Sequence, residues 1–316
     1  LIGLGYIGLP TAAMFASKGV NVVGVDVNAD VVECINSGNI HIIEPGLGHL
    51  VKEAVNKKSF RATTKTEQAD IFIIAVPTPF IDNTDNSYPE PDLSFIQSAC
   101  LKISKVLKKG DLVILESTSP VGTTEKISSW MAGERNDLKF PHTHQDKSDI
   151  RIAYCPERVL PGNVINELVS NDRVIGGMSK ACSELAIDVY NIFVNGECII
   201  TTDKTAEMAK LTENASRDVQ IAFANELSVI CDDLGINVWE LIKIANHHPR
   251  VNILQPGPGV GGHCIAVDPW FIISKSPKLS PLLKTARKIN DSKPEWVVNK
   301  VKLELSNFLL ENPSKS

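Results

Sequence analysis

"LIGLGYIGLP", residues 1–10, carries Gly3, Gly5 and Gly8 in the pattern G-x-G-x-x-G. The apolar residues before Gly3 read as the end of a strand, and those after Gly8 as the start of a helix. In such a strand–turn–helix unit the first glycine permits the tight turn. The second lets the backbone approach a pyrophosphate, and the third lets the helix close on the strand. The helix N-terminus offers N–H groups and a positive dipole end to the phosphates. The next apolar run, "NVVGVD" (21–26), ends on Asp26, 18 residues after Gly8. An acid there accepts hydrogen bonds from the adenosine ribose. It also repels the 2′-phosphate of NADP, so the expected cofactor is NAD.

Further short apolar runs follow: "DIFIIAVP" (70–77), "DLVILES" (111–117), "IRIAYCP" (150–156), "RVIGG" (173–177) and "ECIIT" (197–201). Amphipathic stretches such as 93–107 and 179–193 separate them. Continuous apolar strands alternating with helices predict an α/β fold: a Rossmann-type, doubly wound parallel sheet with helices on both faces. Thr78 in "AVPTPF" and Thr118 in "ESTSPVGT" follow strand ends, the edge where open α/β sheets bind ligands, so both are candidate cofactor contacts. From residue 203 the pattern changes. One proline-free helix is predicted to Leu234 with a stop at Gly235, then a helix over 237–246, then a Gly/Pro-rich segment, then a helical stretch over 281–311 broken near Pro294. The expected domains are 1–202, binding NAD, and 203–316, helical, for dimerisation and substrate.

Of the 316 residues, 43% are hydrophobic and 22% charged, with a net charge of -5. No basic stripe suggests nucleic acid, and no apolar run approaches the ~20 residues that span a bilayer. The seven cysteines, an odd number, form no C-x-x-C pair, which argues against both a disulfide framework and a zinc site. A reducing cytoplasm is therefore expected, with no metal.

Two stretches carry candidate chemistry. Lys210, Asn214 and Arg217 fall at i, i+4 and i+7 on the long helix and share one face. Because Ala206, Leu211, Ile221 and Ala222 make that helix apolar over much of its girth, a lysine on it is suited to a cleft, where it stabilises an oxyanion. "GVGGHCIAVDP" (259–269) sets Cys264 behind Gly259, Gly261 and Gly262 and four residues before Asp268. Such a cysteine is either a packed thiol in a glycine-rich turn or a nucleophile presented to a bound ligand. Glu157 and Arg158 in "YCPERVLPG", with His248 and Arg250 in "HHPRVN", complete a possible cationic site for a phosphorylated or nucleotide-linked substrate.

"GLGYIGLP", "AVPTP", "ESTSPVGT", "CPER", "AEMAKLTEN" and "GVGGHCIAVDP" occur in the order seen in the UDP-sugar 6-dehydrogenases, which the chain resembles along essentially its whole length. "NIHIIEPGL", "PERVLPG" and "NVWELIKIANHHPRVNILQPGPGVGGHCIAVDPWFI" resemble the bacterial branch acting on UDP-N-acetyl-D-mannosamine. The resemblance implies four-electron oxidation of a sugar C6 alcohol with two NAD⁺ to give a uronate for surface polysaccharide of the enterobacterial common antigen kind. Cys264 would be the nucleophile, Lys210 the proton donor/acceptor and oxyanion stabiliser, and Asp268, with Glu157, an organiser of the proton relay or hydrolytic water. It assigns Gly3, Gly5, Tyr6, Ile7, Gly8, Asp26, Thr78 and Thr118 to NAD. It assigns Arg158, Val159, Asn214, Arg217, His248, Arg250 and Gly261 to the UDP-sugar, and a homodimer to the helical unit. The family's third domain, which binds the uridine nucleotide, has no match in the chain, which leaves a catalytically silent NAD-binding dimer as an alternative. Two others are a 6-dehydrogenase of another UDP-hexose and a single-step hydroxyacid dehydrogenase, which needs no nucleophilic cysteine.

Overall fold

The computed structural model describes residues 1–81, 88–262 and 264–312. These fall into two compact units. The first runs to Lys210, without Tyr88; the second holds Tyr88 and the residues from Leu211 on.

Among the described residues, seven strands build the first unit: β1 Val22–Val25, β2 Phe60–Thr63, β3 Ile71–Ile74, β4 Leu112–Leu115, β5 Arg151–Tyr154, β6 Arg173–Gly177 and β7 Cys198–Thr202. Ile2 bridges β1 through Val25 and β3 through Ile74, both in parallel. The order across the unit is thus β2, β1, the Ile2 segment, β3, β4, β5, β6, β7. The first six positions reproduce the 3-2-1-4-5-6 winding of a dinucleotide fold, with its switch point between Ile2 and β3.

Side chains alternate across the sheet as a period of two demands. Phe72, Ile74, Val113, Leu115, Ile152 and Tyr154 pack on one face. Ile73, Leu112, Ile114, Ala153 and Ile175 pack on the other. The helices are α1 Gly8–Ser17, α2 Ala29–Asn36, α3 Leu47–Asn56, α4 Ser94–Ser104, α5 Thr123–Glu134, α6 Pro141–His144, α7 Val164–Ser170 and α8 Lys180–Tyr190. Met14 and Phe15 of α1 and Ala186, Val189 and Tyr190 of α8 cover the second face, whereas Ile96 and Ile103 of α4 and Ile127 and Met131 of α5 cover the first.

In the first unit, two features depart from the sequence reading. Strand β2 breaks the pattern of continuous apolar runs: its outward Arg61 pairs with Glu67 at 2.9 Å, so "FRAT" does not read as a buried strand. The sheet is also not wholly parallel. β6 runs antiparallel to β5, pairing Ala153 with Gly177 and Tyr154 with Gly176. That reversal starts β6 beyond the C-terminal end of β5, and so delivers Arg173 to the edge where the parallel strands end.

The second unit is helical: α9 Asp203–Asp233, which begins in the first unit, then α10 Val238–Ala245, α11 Asp268–Lys275 and α12 Pro281–Glu311. The expected break at Pro294 is absent, and α12 continues through it. Tertiary anchors on the two turns before it explain why. Asn290 donates to Asp218 Oδ1 at 2.8 Å and accepts from Asn225 at 2.9 Å, Arg287 pairs with Asp218 at 2.6 Å, and Lys293 donates to Ser228 at 2.6 Å. These buried groups tie α12 to α9 and outweigh the hydrogen bond that proline removes, since they would otherwise be unpaired away from water.

Candidate active site

At the switch point the three glycines divide the labour. Gly3 has φ +92°, and a Cβ there would lie 2.5 Å from the carbonyl oxygen of Ala75 in the neighbouring strand's extension. A Cβ on Gly8 would lie 1.9 Å from the carbonyl oxygen of Gly3. A Cβ on Gly5 would meet nothing within 4 Å. Two glycines therefore build the turn, and the third leaves open space over its backbone. No side chain caps α1 and no acid occupies its first turn, which suits the helix end to a phosphate. Asp26 accepts from the N–H groups of Leu4 (3.0 Å) and Asn28 (2.9 Å), which fixes its carboxylate beside the glycine turn. Its remaining lone pairs suit ribose hydroxyls. Tyr6 is exposed at this edge. Thr78 donates to the carbonyl of Thr118 at 2.7 Å, joining the loops after β3 and β4. These residues fit a bound NAD.

In the second unit, Cys264 is exposed and in no disulfide. Its carbonyl accepts from Val267 N–H (3.0 Å) and Asp268 N–H (2.9 Å), so a backbone turn presents the thiol just ahead of α11. Asp268, the first residue of α11, is buried, and Asn214 of α9 donates to its Oδ2 at 2.6 Å. The turn carrying the thiol and the helix carrying Lys210 and Asn214 are thus tied by one buried carboxylate. Gly261 and Gly262 are exposed, and a Cβ on Gly261 would meet nothing within 4 Å.

A buried charge cluster lies at the strand-end edge of the first unit. Arg173 pairs with Glu157 and, at 3.4 Å, with Glu116, and its guanidinium stacks 4.2 Å from the centre of the Tyr190 ring. Tyr190 O–H donates to Glu116 at 2.7 Å. Burial pushes the Glu116 carboxyl up from 4.5 to about 7, against the pull of Arg173 and with the help of the nearby Glu157 charge. A carboxyl raised in this way favours the folded state only while it is protonated. Between pH 4.5 and about 7 the unfolded chain ionises it and the fold resists, so stability falls across that window and levels above it. Glu116→Gln is expected to flatten this fall, measured as the difference between melting temperatures at about pH 5 and about pH 8.

Residues 1–194 match the profile of the UDP-glucose/GDP-mannose dehydrogenase family, NAD binding domain, and residues 204–292 match that family's central domain. The chain belongs to the UDP-glucose/GDP-mannose dehydrogenase family. It is 63% identical over 98% of its length to a UDP-N-acetyl-D-mannosamine dehydrogenase of Campylobacter jejuni, covering 75% of that protein. It is 60% identical, again over 98% of its length, to an NDP-N-acetyl-D-galactosaminuronic acid dehydrogenase of Ralstonia nicotianae, covering 72% of it. Its structure superposes on UDP-D-ManNAc dehydrogenase from Pyrococcus horikoshii with a TM-score of 0.88 at 41% identity, over 97% of this chain and 72% of that one. The protein is an NAD-dependent dehydrogenase of this family.

Of the other residues assigned by resemblance to the family's sugar nucleotide, Val159 is half-buried against the core of the first unit. Arg158 is held by the carbonyl of Asp172. Arg217 is exposed on α9, and His248 and Arg250 are exposed in the loop after α10, where Arg250 N–H donates to His248 Nδ1 at 3.3 Å. Ile7 precedes α1, and Lys210 is half-buried. Sequence reasoning passed over several buried charged residues, among them Glu116, Arg173, Glu207 and Glu44. Glu116 and Arg173 form the cluster above. Glu207 accepts from the N–H groups of Gly122 (2.6 Å) and Thr124 (2.8 Å) and from the Thr124 hydroxyl (2.7 Å), fastening the start of α9 to the start of α5. Glu44 fastens a loop, as described below. A charge opening or closing an apolar strand, as Arg173 and Glu116 do, was the available signal for two of them. No helix among the described residues is long and apolar enough to cross a membrane.

Proposed function

We propose that this protein oxidises the C6 alcohol of UDP-N-acetyl-D-mannosamine to the carboxylate, with Cys264 holding the sugar covalently between two oxidations. Held by the glycine turn and Asp26, NAD would supply the hydride acceptor for each oxidation. The alcohol becomes an aldehyde, and the Cys264 thiol adds to it to form a thiohemiacetal. The second oxidation leaves a thioester, which water cleaves to the carboxylate and the free thiol. Two NAD⁺ become two NADH, so the electrons balance. Capture keeps the aldehyde from escaping. Lys210 moves the proton of the C6 oxygen and, with Asn214, stabilises the oxyanion. Asp268 holds Asn214 in place, and it and Glu157 serve the hydrolytic water. Gly3, Gly5, Tyr6, Ile7, Gly8, Asp26, Thr78 and Thr118 hold NAD, and Arg158, Val159, Asn214, Arg217, His248, Arg250 and Gly261 hold the sugar nucleotide.

The observation that carries this reading is the Cys264 turn: an exposed thiol on a backbone-built turn, tied through Asp268 to the helix bearing Asn214 and Lys210. The relatives named for N-acetylmannosamine favour that sugar, and the Ralstonia relative supports its N-acetylgalactosamine isomer as the second reading. Phe223 and Ile230 of α9, with Leu234 just after it, are exposed, which supports a homodimer built on this helix. Resemblance to the family adds a cytoplasmic setting and supply of uronate for surface polysaccharide. The test is stoichiometry. With excess NAD⁺, two NADH should form per sugar consumed, with a uronate product; a ratio of one excludes the covalent two-step course. Oxidation of the galacto isomer in preference to the manno sugar selects the second reading.

A further inference from the structure

The segment Pro156–Gly162, which carries Arg158 and Val159, lies near the surface of the first unit, yet it is held at several points. At its start, Glu157 is clamped by Arg173 and also accepts from Arg158 N–H at 2.7 Å. In its middle, Leu160 N–H donates to Glu167 at 2.8 Å. At its end the anchor comes from a distant loop. Glu44 accepts from Gly162 N–H with Oε2 at 2.9 Å and from Val164 N–H with Oε1 at 2.8 Å, across 118 and 120 residues of chain. Glu44 is buried, at 5% exposure, while its neighbour Ile43 is 90% exposed and Leu160 is 65% exposed. Carboxylate hydrogen bonds to backbone N–H are among the stronger kinds. Asn163, the residue preceding α7, makes no side-chain cap, so the first N–H of that helix is satisfied by Glu44 instead. Gly162 has φ +92°, the left-handed conformation that turns its N–H toward the same carboxylate as Val164's.

We propose that Glu44 is a positioning residue for the sugar nucleotide: by pinning the end of segment 156–162 it fixes the backbone from which Arg158 and Val159 reach the substrate. This rests on the proposed function, which assigns those two residues to the sugar nucleotide. Because the pinned backbone is a surface loop rather than core, loss of the carboxylate frees that loop and leaves the sheet and the glycine turn unchanged. The effect falls on substrate affinity, not on cofactor affinity.

The test compares the full-length wild type with Glu44→Ala and Glu44→Gln, the latter keeping one acceptor oxygen. The KM for UDP-N-acetyl-D-mannosamine should rise about tenfold in the alanine variant and less in the glutamine variant, with kcat changed by less than about threefold and the Kd for NAD unchanged. Hydrogen exchange of amides 158–164 should quicken in the alanine variant without any substrate present. An unaltered KM, or a parallel loss of NAD affinity, or unaltered exchange overturns the proposal. If the alanine variant does not fold, the glutamine variant decides by the same readouts. If the wild type fails to oxidise this sugar, the proposed function falls, and the exchange measurement alone decides whether Glu44 pins the loop.

Discussion

Replacing Cys264 by serine is expected to lower net uronate formation by about a thousandfold or more, while NAD binding and the fold persist. The fold should persist because the turn is made by backbone: Val267 and Asp268 donate to the carbonyl of residue 264, which serine retains. Chemistry should not persist, because a serine hydroxyl is far less ionised than a thiol near neutral pH and its ester is a poorer acyl intermediate than a thioester. The first oxidation does not need the sulfur, so aldehyde should accumulate with about one NADH per enzyme-bound sugar, or a stalled ester with about two. Alkylation gives a separate readout. Cys100, Cys155, Cys182 and Cys231 are buried, and burial drives the thiols of Cys100 and Cys155 well above their usual range. Cys34 and Cys198 are half-buried, and burial raises Cys198 as well. Cys264 is exposed, so it should react first, and bound UDP-sugar should protect it. Normal turnover by the serine variant, or alkylation of Cys264 no faster than of the others, would return the motif to a thiol resting in a glycine-rich turn.

What the sequence made legible was whatever a local pattern records. Runs such as "DIFIIAVP" and "DLVILES" read as buried strands because both faces of the sheet are covered, so both faces are apolar. "FRAT" did not, because an edge strand with one solvent face needs Arg61 there. The reversal of β6 was invisible for a different reason. An apolar run fixes that a strand is buried but carries no direction, and the direction follows from how α7 returns the chain. Pro294 misled because propensity is a local cost that buried pairs from α9 overrule.

The candidate site divides along the same line. Cys264 and Asp268 lie in one quotable motif, and Asn214 lies in another 54 residues away. Only the fold joins Asn214 to Asp268. Glu44, Glu116 and Glu207 escaped because nothing near them in sequence says what they hold. Their partners lie 118 residues on for Gly162, 57 on for Arg173 and 85 back for Gly122. A buried carboxylate costs a great deal unless donors meet it, so each such residue marks a long-range constraint that periodicity cannot express.

The glycine turn supports a sharper test, because its three glycines serve unlike ends. In Gly8→Ala the new Cβ would lie 1.9 Å from the carbonyl oxygen of Gly3 and 2.8 Å from Leu1 Cδ2. The first contact is with backbone, which no rotamer change relieves, so α1 must move off the strand. Overpacking of this kind costs about 3 kcal/mol or more. In a unit of this size that corresponds to a melting temperature lower by about 10 °C. NAD affinity should fall with it, since the helix end that meets the phosphates is displaced. Gly5→Ala should behave differently. Its Cβ meets nothing within 4 Å of protein, so stability should stay within about 0.5 kcal/mol of wild type. The methyl group would nevertheless stand where the pyrophosphate approaches the backbone, and NAD affinity should drop at least about tenfold. Thermal melts without NAD and titrations with it separate the two outcomes. Gly8→Ala should fail in both measurements and Gly5→Ala only in the second. If Gly5→Ala bound NAD as wild type does, the open space above Gly5 would not be where the cofactor's phosphates lie.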